Sequence, residues 1–275
     1  MEKLKGQKPL EQEAPEKKLE QALIWTEGFD SSRRIIGLSG NIALATDKGL
    51  RASNQDALVL DLKNDGFAVV DGMGGYAKGE VAAQIVAESI IKNNPLEIEL
   101  KNLEISKAIK AMENQARAMQ FEAFQNMRKQ GMHEGGAVYL AGRIERNGKE
   151  LSICQAGDAK LIVVDSNGKI KFASEPTSLR DAPSASGAGF AAIETGVKLG
   201  NYDCILAATD GLWDNIKADE AAQIVAKEKV ETALVQLAEL AKKRMAEGFG
   251  NGEYGNKDNL TIFIYKILPV PLRGK

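Results

Sequence analysis

Two rhythms of apolar and polar positions alternate along this chain. Short apolar runs bounded by Gly, Asn, Asp or Ser recur at residues 42–45, 57–60, 67–70, 137–144, 151–156, 161–164, 170–172, 193–199, 204–208 and 261–267. Runs of this length, rich in β-branched residues and stopped by turn formers, predict strands. Between them the period changes to that of a helix. Val81, Ala82, Ile85, Val86 and Ile90 predict one helix, ended by Asn93-Asn94-Pro95. Ile105, Ala108, Ile109, Met112, Ala116, Met119 and Ala123 form the apolar stripe of a second over residues 103–128, where the methionines read as core filler. Residues 218–245 predict two consecutive helices, with Leu234, Leu237, Ala238, Ala241 and Met245 on one face.

The segments between these elements are also informative. Asp47-Lys48-Gly49, residues 61–66, Arg146-Asn147-Gly148 and Ser166-Asn167-Gly168 predict turns, the third joining a hairpin. Residues 131–136 break the second helix from the next strand, and residues 249–257 form a Gly/Asn-rich loop. Residues 174–192, rich in Ser, Ala, Gly and Pro, predict a long mobile loop, a length often kept for function. Residues 1–34 are charged, carry Pro9 and Pro15, and gain apolar residues only at Leu19, Leu23 and Ile24. They predict a flexible tail with at most one docking turn, a candidate regulatory arm. Residues 269–275 predict a short C-terminal tail, which leaves residues 35–268 as one domain. Strands come in runs rather than singly between helices. That order predicts an α+β fold: two packed, mainly antiparallel β-sheets forming a β-sandwich flanked by helix pairs. No internal repeat is evident.

Composition narrows the function by exclusion. The 275 residues are 44% hydrophobic and 27% charged, with a net charge of −2. Nothing there suggests a surface for nucleic acid. No apolar run approaches the roughly 18 residues that span a bilayer, and the N-terminal segment lacks the apolar core of a signal peptide, so a cytoplasmic protein without membrane contact is expected. Cys154 and Cys204 lie in separate apolar runs and read as buried reduced thiols. His133 is the only histidine, which excludes a multi-histidine zinc site, and its Gly-rich setting reads as a solvated loop.

The candidate chemistry gathers at strand ends. Phe67-Ala68-Val69-Val70 runs into Asp71-Gly72-Met73-Gly74-Gly75. Asp71 thus stands at the mouth of a buried strand, beside glycines that let backbone approach whatever it binds. A carboxylate held there requires a partner: a basic side chain, a helix N-terminus or a cation. The run Cys204-Ile-Leu-Ala-Ala-Thr-Asp210-Gly211 repeats the pattern. Asp258 precedes the last strand, Asp56 precedes residues 57–60, and Asp158 follows residues 151–156. Any single Asp-Gly is most often a turn. If these strands share one edge, however, the carboxylates converge, and each pair then repels by about 1 kcal/mol at about 4 Å in water, more when desolvated. A hard divalent cation removes that penalty, and all-oxygen ligation suits Mg²⁺ or Mn²⁺. Two such ions and the forked donors of Arg51 point to hydrolysis of phosphate esters. The Gly72–Gly79 region fits neither the P-loop spacing nor the dinucleotide fingerprint.

At these residues the chain resembles the protein phosphatase 2C family, the metal-dependent serine/threonine phosphatases, collinearly over residues 36–267. Gly49-Leu-Arg51-Ala-Ser-Asn54-Gln55-Asp56 is similar to the first motif in its bacterial form, and Asp71-Gly72-Met73-Gly74-Gly75 to the second. Gly135-Gly136-Ala137, Gly157-Asp158, Thr209-Asp210-Gly211-Leu212-Trp213-Asp214 and Asp258-Asn259-Leu260-Thr261 follow in the family's order. The resemblance implies that residues 35–268 are a catalytic domain that dephosphorylates phosphoserine and phosphothreonine in proteins, as a monomer opposing a serine/threonine kinase. It implies two Mn²⁺ or Mg²⁺ ions bridged by Asp71, with Asp210 and Asp258 on one and the Gly72 carbonyl on the other. Asp158 would serve a third, more weakly held ion, and Asp56 would act through water or a hydrogen bond. Arg51 would bind the substrate phosphate, attacked directly by a bridging hydroxide without a phosphoenzyme. Residues 174–192 overlap the family's variable flap near the substrate.

The sequence also departs from the family's pattern. Gln55 replaces a Glu of animal members, Met73 replaces a His assigned as general acid there, Ala159-Lys160 replaces Ser-Arg, and Glu175-Pro176-Thr177 replaces Asp-His. Two rival readings follow: a phosphoprotein-binding module without turnover, and a phosphatase of small phosphate monoesters.

Overall fold

The computed structural model describes residues 23–25, 42–62, 64–73, 78–97, 104–145, 148–248 and 255–268. Eleven strands are seen among them: β1 (Leu23–Trp25), β2 (Ile42–Asp47), β3 (Asp56–Asp61), β4 (Gly66–Gly72), β5 (Ala137–Ile144), β6 (Glu150–Ala156), β7 (Lys160–Val164), β8 (Ile170–Ala173), β9 (Ala192–Lys198), β10 (Cys204–Ala208) and β11 (Leu260–Lys266). The helices are α1 (Gly79–Lys92), α2 (Ile105–Lys129), α3 (Asp210–Trp213), α4 (Ala218–Lys227) and α5 (Val230–Glu247). One sheet has the order β1-β3-β4-β5-β6-β9 and the other β2-β11-β10-β7-β8. Every pairing between these strands is antiparallel. The expected sandwich with flanking helix pairs is the observed one.

The apolar runs are continuous because most strands are covered on both faces. In β3, Leu58 and Leu60 point into the core between the sheets, while Ala57 and Val59 pack against α1 and α2. In β4, Phe67 and Val69 point inward and Ala68 and Val70 outward. The second sheet repeats the arrangement, with Ile205 and Ala207 of β10 inside and Cys204, Leu206 and Ala208 under α4 and α5. The period of two is therefore present, but both of its phases are apolar. Edge strand β9 alternates exposed and half-buried residues instead.

The helices α1, α2, α4 and α5 each bury an apolar face in the layers outside the sheets. Met112, Met119 and Met127 of α2 are fully buried. Ile105, expected on that stripe, is 73% exposed because it opens the helix beyond the region covered by its neighbours. Both cysteines are free and buried, and burial pushes each thiol up to about 12. No helix among the described residues is long and apolar enough to cross a membrane. Within the expected N-terminal tail, residues 23–25 form β1 and pair with β3 at Leu23↔Leu60 and Trp25↔Leu58. The rest of that tail, the C-terminal tail and the motif residues Gly74 and Gly75 lie outside the described residues.

The two sheets are joined at their centre by Phe67 of β4 and Phe263 of β11, stacked with ring centroids 4.0 Å apart. Gly142, opposite Phe67 in the ladder, leaves room for that ring, since a Cβ there would lie 2.2 Å from it. Phe263→Ala should therefore remove an inter-sheet contact and leave a cavity, destabilising the fold by about 3–5 kcal/mol. Urea denaturation followed by circular dichroism measures the loss; a change within 1 kcal/mol, on the order of an ordinary surface substitution, would show that the stack is not central.

Candidate metal centre

One end of the sandwich collects the ends of seven strands. The Asp56↔Asp71 register places the first residue of β3 beside the end of β4. β10 ends at Ala208, and Thr209 leads into α3, whose first residue is Asp210. β11 begins just after Asp258-Asn259 and pairs at its first residue with Asp47, the last of β2. Gly157-Asp158 joins β6 to β7. Asp71, Asp158, Asp210, Asp258, Gly72 and Arg51 all line one cleft of about 680 Å³. Asp56 lies beneath it, fully buried. The sequence-derived site residues are thus brought together, although they are up to 207 positions apart in the chain.

A layer of hydrogen bonds fixes these loops. Thr209 and Thr261 both donate through their hydroxyls to Oδ2 of Asp56, at 3.0 and 2.7 Å. The backbones of the same two threonines join the sheet end, with Thr209 N–H donating to the Thr261 carbonyl at 3.1 Å. Asn259 ties the loop before β11 to the connection between β2 and β3 at three points. Its amide donates to the carbonyls of Lys48 and Ser53, and its Oδ1 accepts from Gln55 N–H at 2.9 Å. Glycine is required where these loops touch. A Cβ on Gly211 would sit 1.8 Å from the Asn259 carbonyl oxygen. One on Gly49, which has φ +57°, would sit 1.9 Å from that of Asp258. Thr209, Asn259 and Thr261 stand inside the motifs, but their work is visible only in the fold. The available signal was their polarity beside strands that are otherwise wholly apolar.

The electrostatics are those of acids crowded out of water. Burial pushes Asp56 up to about 7, against the pull of the Thr261 and Thr209 hydroxyls, and the charge of Asp258 adds to the rise. Asp210 is likewise pushed up to about 7, first by burial and then by Asp258, Asp56 and Asp158. Asp71 stands well above the ordinary carboxylate range, by burial and by the charges of Asp56, Asp210, Asp258 and Asp158. Asp158, half-buried, is raised by burial and by Asp214 and Asp258. Among the described residues, Asp258 is the one of these acids with a cationic partner. Arg51 Nη2 donates to its Oδ2 at 2.8 Å, and Arg51 Nε donates to the Lys257 carbonyl. Nη1 of Arg51 has no partner among the described residues.

Among the described residues no three acidic, thiol or imidazole groups already converge into a coordination shell. Arg51 holds one oxygen of Asp258. The donor set nevertheless fits a hard divalent ion. It consists of carboxylates and a backbone carbonyl at one cleft, destabilised as anions, with no cation beside Asp71 or Asp210 among the described residues. His133 does not line the cleft, and its Nδ1 lies 3.2 Å from Arg128 Nη1. The 174–192 loop does reach the cleft, through Leu179, Arg180, Ala182, Ser184 and Ser186.

Residues 49–247 match the family model described as protein phosphatase 2C. No curated protein matches the chain by sequence. Among solved structures, the Mycobacterium tuberculosis serine/threonine phosphatase PstP/Ppp is 19% identical, with a TM-score of 0.64 over 83% of this chain and 98% of that one. The PstP catalytic domain in complex with two manganese ions is 19% identical, with a TM-score of 0.63 over 83% and 98%. PppA, a regulatory component of type VI secretion in Pseudomonas aeruginosa, is 18% identical, with a TM-score of 0.59 over 82% and 97%. At these identities the likeness is one of fold.

The crowded acids set a pH dependence with a definite sign. Asp56 and Asp210 titrate at about 7 in the folded chain against 3.8 ordinarily. Between those values the folded state keeps protons that the unfolded chain has released, so the stability they contribute is lost as pH rises through that window. In EDTA the melting temperature should fall from about pH 4 to about pH 7. Adding Mg²⁺ or Mn²⁺ should restore it most at the upper end, because binding to the folded state alone stabilises it. A metal-free melting curve that rises over this window would contradict the assignment of buried, proton-holding acids.

Proposed function

The chain belongs to the protein phosphatase 2C family, the metal-dependent serine/threonine protein phosphatases, and we propose how its cleft carries out that hydrolysis. Asp71, Asp210 and Asp258, with the Gly72 carbonyl, would hold two divalent ions, Mn²⁺ or Mg²⁺. Asp158 serves a third, weaker ion. The two manganese ions in the PstP catalytic domain support this number. Bound there, the ions supply Lewis acidity, lowering the pKa of water and offsetting charge on the phosphate.

The chain's own residues do the rest. Asp56 is oriented by Thr209 and Thr261 and acts on the centre through hydrogen bonds rather than as a direct ligand; both hydroxyls land on its Oδ2. Arg51 holds the phosphate monoester with donors that its contacts to Asp258 and Lys257 leave free. Met73, which lines the cleft, has no proton to give, so the leaving serine or threonine oxygen takes its proton from water. The substrate is a phosphoprotein, and the physiological counterpart is a serine/threonine kinase. The enzyme acts as a cytoplasmic monomer.

The observation that carries this reading is the pairing of an arginine fork with an acidic cluster at a single cleft, Arg51 on Asp258 at 2.8 Å. Phosphate release from a phosphothreonine peptide should vanish in EDTA and return with Mn²⁺. Asp210→Asn should lower kcat/KM by on the order of 10³-fold, the scale of losing one preorganised electrostatic contact. Arg51→Ala should act mainly on KM. Full activity in Asp210→Asn would overturn the assignment. Metal-independent silence in a folded wild type would favour a phosphoprotein-binding module, and turnover confined to free metabolites a small-molecule phosphatase.

A further inference from the structure

The 174–192 loop forms a braced wall of the cleft. Its first end is fixed to the Asp158 turn, where Gly157 N–H donates to Thr177 Oγ1 at 2.7 Å and Thr177 N–H to the Gly157 carbonyl at 2.8 Å. Its middle is fixed beside β5, where Ala137 N–H donates to the Pro183 carbonyl and Ala185 N–H to that of Gly135. Farther along, the Phe190 ring lies 5.0 Å from the Arg117 guanidinium of α2. Between the first two anchors is a short 3₁₀ turn, Leu179–Asp181. Ser178 Oγ accepts from Arg180 N–H, and Asp181 Oδ2 accepts from Ser178 N–H. The turn is thereby preorganised, and the carboxylate of Asp181 is directed at backbone.

Arg180 rides on that turn and lines the cleft, and its guanidinium has no hydrogen-bond or ion-pair partner among the described residues. Leu179 beside it also lines the cleft and is 50% exposed. Arg51 and Arg180 are the cations lining the cleft among the described residues; the other charged lining residues are the aspartates and Glu134. Arg51 is anchored at Asp258, beside the site of chemistry. Arg180 belongs to the loop wall, and an unpaired guanidinium on a rigid turn attracts a second anion.

We propose that Arg180 is a specificity-determining residue that selects phosphopeptides bearing a second anionic group, a carboxylate or another phosphate, close to the phosphoresidue. This rests on the phosphatase reading above. An exposed charge pair of this kind contributes modestly, so the preference expected is roughly two- to fivefold.

The test is a ratio. Phosphothreonine peptides with an acidic, a second phosphorylated or a neutral neighbour are compared by kcat/KM in wild type, Arg180→Ala, Arg180→Glu and Arg180→Lys, at low and high salt. Wild type should favour both anionic peptides, chiefly through KM. The ratio should collapse to about one in Arg180→Ala, invert in Arg180→Glu, be largely kept in Arg180→Lys, and weaken in salt. A preference for the doubly phosphorylated peptide alone assigns the second anion as phosphate; a preference for both assigns any anion. Because the ratio cancels losses common to all peptides, a general fall in activity does not imitate the effect. A wild type that cleaves all peptides equally, or a ratio unchanged in Arg180→Ala and Arg180→Glu, overturns this inference while leaving the phosphatase standing. A wild type that cleaves no peptide, yet hydrolyses p-nitrophenyl phosphate, overturns both.

Discussion

Asp71 stands at the end of a strand whose Val69 faces one core and Val70 another. The packed strand holds its carboxylate at the cleft, and its neighbours in space are other acids. Much of the structure follows from that constraint. The sandwich is stable because its apolar faces are buried twice over, between the sheets and under the helices. The same packing holds Asp56, Asp71 and Asp210 where their charged forms are costly. Protonation or divalent cations relieve the crowding, and at neutral pH a cation is the stronger remedy.

Geometry of this kind is kept by uncharged side chains. Thr209 and Thr261 come from neighbouring strand ends and meet on one oxygen of Asp56, and Thr261 also meets Thr46 at 2.9 Å. Asn259 joins the loop before β11 to the β2–β3 connection at Lys48 and Ser53. The glycines of the motifs allow loop backbones to come closer than any side chain would permit. Asp-to-Asp distances are therefore set by sheet register and by buried polar pairs, both stiff compared with the loops on which many sites depend.

The cleft divides its labour between floor and wall. Its floor belongs to strand ends and carries the charges for chemistry. Its wall belongs to a connection between β8 and β9 that is tied down at Gly157 and at Gly135 but free in sequence between those points. Chemistry can thus stay constant while the wall changes which substrates fit, because altering Leu179 or Arg180 does not touch the packing under Asp71.

Sequence alone was enough for most of the architecture. Runs such as residues 57–60 and 67–70 give strands because so few polar residues interrupt them, and the helical stripe through Met112 and Met119 gives α2. Asp71, Asp210 and Asp258 were legible as candidates because a charge ending an apolar run is unusual and here recurs. The α3 turn and the exposure of Ile105 were not legible: one is too short to show a period, and the other depends on where a neighbouring helix ends. Nor could the chain order disclose that Asp56 lies under the cleft rather than in it, that Arg51 grips Asp258, or that Arg180 faces the same space. Those facts arise from register between residues 15 to 207 positions apart. The sequence by itself determined which residues carry charge and which segments must be buried, since both follow from local composition and period. Only the tertiary structure decided which charges meet, because proximity across a sandwich is set by strand pairing and packing, which no local pattern encodes.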